Sequence, residues 1–146
     1  MVRPQIAGWL LGGWTLTLLG LTFWQWSPTS SMLRVVNLTP LWGIGESVAA
    51  GGRATLINVV GNIVVFGPIG LLLPLWQARY RSWWRSGLAG MGVSLAIELL
   101  QWLVGYRVAD VDDVLLNTVG TLVGFMLFWV FTQHLFFTFN HVSKRN

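Results

Sequence analysis

Apolar residues run along the chain in four blocks, Ile6–Trp26, Leu56–Trp76, Ser86–Tyr106 and Val114–Phe136. Crossing about 30 Å of hydrocarbon takes roughly 20 helical residues. The pattern therefore predicts an all-α membrane protein, a bundle of about four transmembrane helices. The first block has the look of a secretory signal, but signal cores run to only about 7–15 apolar residues. No small-x-small cleavage site follows Trp26, so an uncleaved span is expected. Between the first two blocks lies one longer loop, residues 27–55, without clear periodicity. Its apolar middle, MLRVVNLTPLWGI, is expected either to lie along the interface or to dip into the bundle. There is no internal repeat and no low-complexity tract, and residues 1–146 read as a single domain.

Composition agrees with the blocks. The 146 residues are 54% hydrophobic and 10% charged, against about 25% charged in soluble domains. A soluble fold is excluded on that ground. The absence of cysteine excludes disulfides, thiolate metal sites and cysteine nucleophiles. A net charge of +4, scattered along the chain, gives no nucleic-acid footprint. The basic residues report orientation instead, because cytoplasmic loops are enriched in Lys and Arg. Arg79, Arg81 and Arg85 crowd the short connection between the second and third blocks, and Arg3, Lys144 and Arg145 lie at the termini. Placing these inside leaves only Arg34, Arg53 and Arg107 outside. The expectation is a multi-pass protein of the bacterial cytoplasmic membrane with both termini cytoplasmic and the long loop extracytoplasmic. Trp24, Trp26 and Trp102 then fall near the outer interface, and Trp76, Trp83 and Trp84 near the inner one, where amphipathic rings prefer to sit.

With that topology the polar residues inside the blocks form a layer. Glu98 stands out, since a charge at bilayer depth costs roughly 2.5–3.5 kcal/mol on insertion scales. It lies about 12 Å below Tyr106 at a rise of about 1.5 Å per residue. Ser94, Glu98 and Gln101 fall on one helical face. Asn58 and Asn62 are four residues apart, share a face, and sit within roughly 10 Å of the outer end of their block. Arg107, Asp110, Asp112 and Asp113 precede the fourth block, and Asn117 falls in its first turn. Three blocks thus bring polar groups to one depth in the outer half of the membrane, and Glu98 is expected to face them rather than lipid.

The stretches NLTP (37–40), NVVGNIVVFGPIGLLLP (58–74), SLAIELLQ (94–101) and RVADVDDVLLNTVGTLVG (107–124) occur in this order, and together they resemble the VanZ-like family. The resemblance covers residues 37–124, most of the chain. One departure is Gly67, where such sequences often place a bulkier residue before Pro68. The family is named after an accessory protein of glycopeptide resistance that lowers teicoplanin susceptibility. Matched position by position, its polar pattern falls on Asn58, Asn62, Glu98, Gln101, Arg107, Asp110, Asp113 and Asn117, which are the candidate ligand-binding residues. The implied function is an envelope protein whose outer-leaflet polar pocket binds a lipophilic glycopeptide or a lipid-linked cell-wall precursor. Membrane lipids are the other expected partners, and no nucleic acid is.

Several features admit two readings. Asp110, Asp112 and Asp113 could hold Mg²⁺ through hard carboxylate oxygens, with Glu98 as the candidate catalytic acid or base. That would make the chain an intramembrane enzyme of lipid phosphates. Aspartates at a helix start also cap free N–H groups and suit the positive end of the helix dipole, and no cofactor is then needed. Asn58 and Asn62 could read a head group or simply bond a neighbouring helix, at about 0.6 kcal/mol each. A small transporter or a scaffold is the remaining alternative. The run Gly67-Pro68-Ile69-Gly70 with Pro74 predicts a kink or local unwinding, since proline removes a backbone donor. The pairs Gly8/Gly12 and Gly120/Gly124 have the spacing of close helix contacts. His134 and His141 lie too far along the chain to complete a metal site with the aspartates.

Overall fold

Helix starts and stops follow local chemistry. The computed structural model describes residues 3–24, 36–53, 56–104 and 109–143. Pro4 occupies the first position of α1, Pro4–Trp24, where its missing N–H is no loss. A two-residue strand β1, Val36–Asn37, and a nine-residue helix α2, Trp42–Ala50, follow. Gly51, at φ +74°, then takes the left-handed conformation that ends many helices. A π-helical turn, Leu56–Val60, leads into α3, Gly61–Trp76. A short 3-10 turn, Ala78–Tyr80, connects it to α4, Trp83–Val104. Strand β2, Ala109–Asp110, precedes the longest helix, α5, Val111–Ser143. β1 and β2 pair in parallel, Val36 with Ala109 and Asn37 with Asp110.

The fold is all-α, as the blocks imply, and it is a membrane helical bundle. Three stretches are long and apolar enough to cross a bilayer among the described residues: Ile57–Trp76, Trp83–Val104 and Val111–His134. α1 is the fourth long helix, 21 residues without a charge. Large side chains point outward along all four, among them Trp9, Leu16, Leu88, Leu99 and Met126. On a water-soluble domain a surface of this kind would drive aggregation, whereas in lipid it is the solvated face.

Helices α3 and α5 make the most extensive contact, followed by α4 with α5 and α1 with α3. Small residues set the closeness. A Cβ at Gly120 would meet the Ile63 carbonyl, one at Gly124 the Gly67 carbonyl, and one at Gly70 the Thr121 carbonyl. Gly90 of α4 lies equally close to the Thr121 side chain. The GxxxG pair Gly120/Gly124 therefore works within the bundle, where backbone proximity supplies the packing that water would otherwise drive. Gly8 packs on the Trp76 indole, while a Cβ at Gly12 would meet nothing within 4 Å. The Trp14 Nε1–H donates to the Val65 carbonyl at 2.9 Å, fastening α1 to α3. Leu18, Phe66, Ile69, Leu73 and Ile97 form the buried apolar centre.

Three details depart from the sequence reading. α3 stays helical past Pro68 and Pro74, so the local unwinding offered as one alternative is absent there, and the irregular turn lies earlier, at Leu56–Val60. α5 begins at Val111, not Val114, so Asp112 and Asp113 belong to its first turn. The Asp110 carboxylate accepts the Asp112 N–H at 2.9 Å and starts the helix there. The long loop holds a helix, α2, that Gly43 and Gly45 conceal, since glycine is a poor helix former.

Candidate functional site

The end of the bundle built by the close of α1 and α4 and the start of α3 and α5 contains a cavity of about 270 Å³. At the opposite end lies the turn carrying Arg79, Arg81 and Arg85. Six of the eight candidate residues line the cavity: Asn58, Asn62, Glu98, Gln101, Asp113 and Asn117. Leu18, Val65, Phe66 and Ile97 form an apolar wall beside them. The heptad-like spacing on α4 explains the convergence, because Ser94, Glu98 and Gln101 are all buried on one face. Glu98 is only 7% exposed, so it faces the bundle. Asp110 contributes from behind, its backbone N–H donating to Glu98 Oε2 at 3.1 Å. Arg107 lies outside the described residues.

Each polar group is held by a specific neighbour. The Asn62 amide donates to Asp113 Oδ1 at 2.7 Å, joining α3 to α5. The Asn117 amide donates to Ser94 Oγ at 2.8 Å, joining α5 to α4. Thr121, fully buried one turn further, donates to the Asn117 carbonyl at 3.0 Å. Two acceptors are left over: Gln101 Oε1 and Asn117 Oδ1 are buried without a hydrogen-bond partner. Burying such a group unsatisfied costs about 1–3 kcal/mol, and both residues line the cavity.

The three aspartates considered for metal binding point to different partners. Asp113 holds Asn62. The Asp110 carboxylate accepts the Asn37 amide, at 3.2 and 3.3 Å to its two oxygens. Asp112, 3% exposed, accepts the backbone N–H of Leu41 at 2.6 Å and of Ile44 at 3.1 Å. It thus caps α2 from a distant helix, satisfying amides that a helix start leaves open. Gly43 permits this, since a Cβ there would sit 2.9 Å from Asp110 Oδ2 and 3.3 Å from Asp112 Oδ2. Asn37 Oδ1 accepts the Thr39 N–H at 3.1 Å and shapes the NLTP turn. Among the described residues no three His, Asp or Glu side chains come together as a metal site requires.

Sequence reasoning placed the polar layer but missed Asn37, Gly43 and the α2 amides as partners of the aspartates. Nothing in local spacing links residues that lie 68 to 73 positions apart. The AAGGR stretch, a glycine pair after small helix formers, is the signal that marks the end of α2.

An apolar-surfaced helical bundle with a polar cavity at one end is the architecture of a small helical membrane protein. The VanZ/LLP1 family model matches residues 10–132, and the chain belongs to that family. It is similar to Protein VanZ of Enterococcus faecium, at 26% identity over 102 residues. That match covers 70% of this chain and 57% of the relative, so the chain spans little more than half of the relative's length. No solved structure matches the chain.

Proposed function

We propose that this is an envelope membrane protein whose cavity receives the polar head of a lipophilic glycopeptide or of a lipid-linked cell-wall molecule, lowering susceptibility to teicoplanin-type antibiotics. The observation that carries the reading is the cavity itself. Six polar side chains and an apolar wall meet in about 270 Å³, just below the roughly 300–1,000 Å³ of ligand pockets. That is room for a head group, with the chain left in lipid. Asn58, Asn62, Glu98, Gln101, Asp113 and Asn117 are the contacts, with Asp110 behind Glu98. Membership in the VanZ/LLP1 family supports the resistance outcome.

Gly61 lines the cavity, and a Cβ there meets nothing within 4 Å. Gly61→Leu is therefore expected to keep membrane abundance while returning teicoplanin susceptibility to that of cells lacking the protein. Retained tolerance at normal abundance would remove the cavity from the mechanism.

The reading places both termini in the cytoplasm and the cavity in the outer leaflet, supported by Arg79, Arg81 and Arg85 at the far end of the bundle. Glu46 on α2 and Ala78 in the α3–α4 turn are both exposed. A cysteine at Glu46 should react with an impermeant maleimide in intact cells, and one at Ala78 only after lysis. The reverse result would put the cavity on the cytoplasmic side and sink the envelope-ligand reading. A magnesium-assisted lipid phosphatase has less support, because the aspartates it needs are engaged with Asn37, Asn62 and the start of α2.

A further inference from the structure

The geometry points to a second binding site, at the end of the bundle away from the cavity: the α3–α4 turn holds the phosphodiester of an anionic phospholipid with stacked arginines. Arg79, Arg81 and Arg85 are all exposed there, yet each guanidinium is held in place. That of Arg79 lies 4.7 Å from the Tyr80 ring centroid, and that of Arg85 4.9 Å from the Trp84 ring centroid. Arg81 Nε donates to the Pro74 carbonyl at 3.3 Å, and Arg85 Nη1 to the Arg79 carbonyl at 3.4 Å. Ser86 Oγ closes the same turn, donating to the Tyr80 carbonyl at 2.8 Å. A guanidinium has five N–H groups, so most of the donors in this turn remain for a ligand. The chain cannot neutralise them itself. Its five side-chain carboxylates, Glu46, Glu98, Asp110, Asp112 and Asp113, belong to α2 and the cavity end, and the first turn of α4 has no acid.

Orienting a span needs only positive charge, which freely moving lysines supply as well. Here all three cations are arginines, and aromatic rings fix the planes of two of them. A fork fixed in this way meets two oxygens of a phosphate with little loss of side-chain freedom. The acyl chain has a place too. Trp84, Leu88, Leu95 and Leu99 are exposed along one face of α4, which starts beside Arg85. A Cβ at Gly92, near the same face, would meet nothing within 4 Å. Exposed Trp83 lies at the mouth of this strip, at the depth where indoles prefer to sit. A free phosphate would leave the strip unused. A zwitterionic head group brings its own ammonium, which competes with the arginines for the phosphate oxygens.

The purified full chain is equilibrated with phosphatidylcholine vesicles containing equal minor amounts of phosphatidylethanolamine and phosphatidylglycerol. Retained lipids are then read by native mass spectrometry. Phosphatidylglycerol should be enriched at least about tenfold over phosphatidylethanolamine, since each arginine at a membrane surface favours an anionic lipid by about fivefold. Arg79→Lys keeps the charge and spares the turn, whose hydrogen bonds do not use the Arg79 side chain. It should lower the enrichment several-fold at an unchanged melting temperature, and Arg85→Lys should lower it too. Arg53→Gln, before the start of α3, removes a full charge at the cavity end and should leave the enrichment as it is. Full enrichment in both lysine variants would reduce the turn to a diffuse field of charge and overturn the site, as would an equal loss in Arg53→Gln. Displacement of the lipid by excess inorganic phosphate at constant ionic strength would overturn the lipid in favour of a free anion. Gly61→Leu narrows the cavity and should not alter the enrichment; loss in that variant would move the lipid to the cavity and overturn the second site. No enrichment of phosphatidylglycerol would overturn the proposal and leave the reading of the cavity untouched.

Discussion

Under the proposed head-group reading, Glu98→Gln is expected to leave the protein folded and at normal abundance while abolishing teicoplanin tolerance. Glu98 Oε2 accepts the Asp110 N–H at 3.1 Å, and the amide oxygen of glutamine can accept the same bond. What changes is the other atom, from an acceptor to a donor, together with the charge. A ligand that relies on the carboxylate's charge or on its second oxygen then loses it. Glu98→Leu is the control: it strands the Asp110 N–H, at about 1–3 kcal/mol, and loosens the loop held through Asp110. Its abundance should fall along with its activity. The measurement is drug susceptibility beside membrane protein level for each variant. Full tolerance in the glutamine variant at wild-type abundance would mean that Glu98 is a structural acceptor, and the working groups would have to be sought among Gln101, Asp113 and Asn117.

The largest stability effect is expected at Gly70. A methyl there falls on the Thr121 backbone carbonyl, and backbone on a neighbouring helix cannot rotate away as a side chain can. Overpacking in cores costs about 1–3 kcal/mol and occasionally more. Gly70→Ala should sit at or above the top of that range, visible as loss of membrane accumulation and a lowered melting temperature in mild detergent. Gly67, three residues earlier, has nothing within 4 Å of its Cβ position. Gly67→Ala should be neutral, or stabilising by up to about 1 kcal/mol through helix propensity. Equal tolerance of the two substitutions would contradict the close α3–α5 contact. The pair also accounts for the residue in which this chain departs from the family pattern: Gly67 stands where a larger residue fits.

Much of the fold is legible in the sequence because a membrane imposes long-range order on a local signal. An apolar run of membrane length is helix, and counting residues from its ends gives depth. That is enough to bring Asn58, Asn62, Glu98 and Asn117 to one level from the order of residues alone. Turn-scale features are not legible. The π-helical turn at Leu56–Val60 changes the hydrogen-bond register without changing the apolar pattern. The start of α5 depends on the Asp110 side chain bonding two residues ahead. The roles of the aspartates are out of reach for another reason. Asp112 reads as a cap for its own helix but caps α2 instead, a choice made by tertiary packing, to which sequence spacing is blind.

The bonds between the NLTP turn and the head of α5 bear on how the protein is made. Asn37 and Asp110 are 73 residues apart, and at about 5–20 residues per second of synthesis that is a delay of about 4–15 s. Throughout it the Leu41 and Ile44 amides lack the carboxylate that will cap them, and α2 is shorter than the roughly 12–15 residues at which isolated helices become even marginal. Docking of the loop is therefore a late event of assembly, available only after α3 and α4 have been made and the ribosome has passed Asp112. An engaged NLTP turn therefore reports that the head of α5 has reached its place beside the loop.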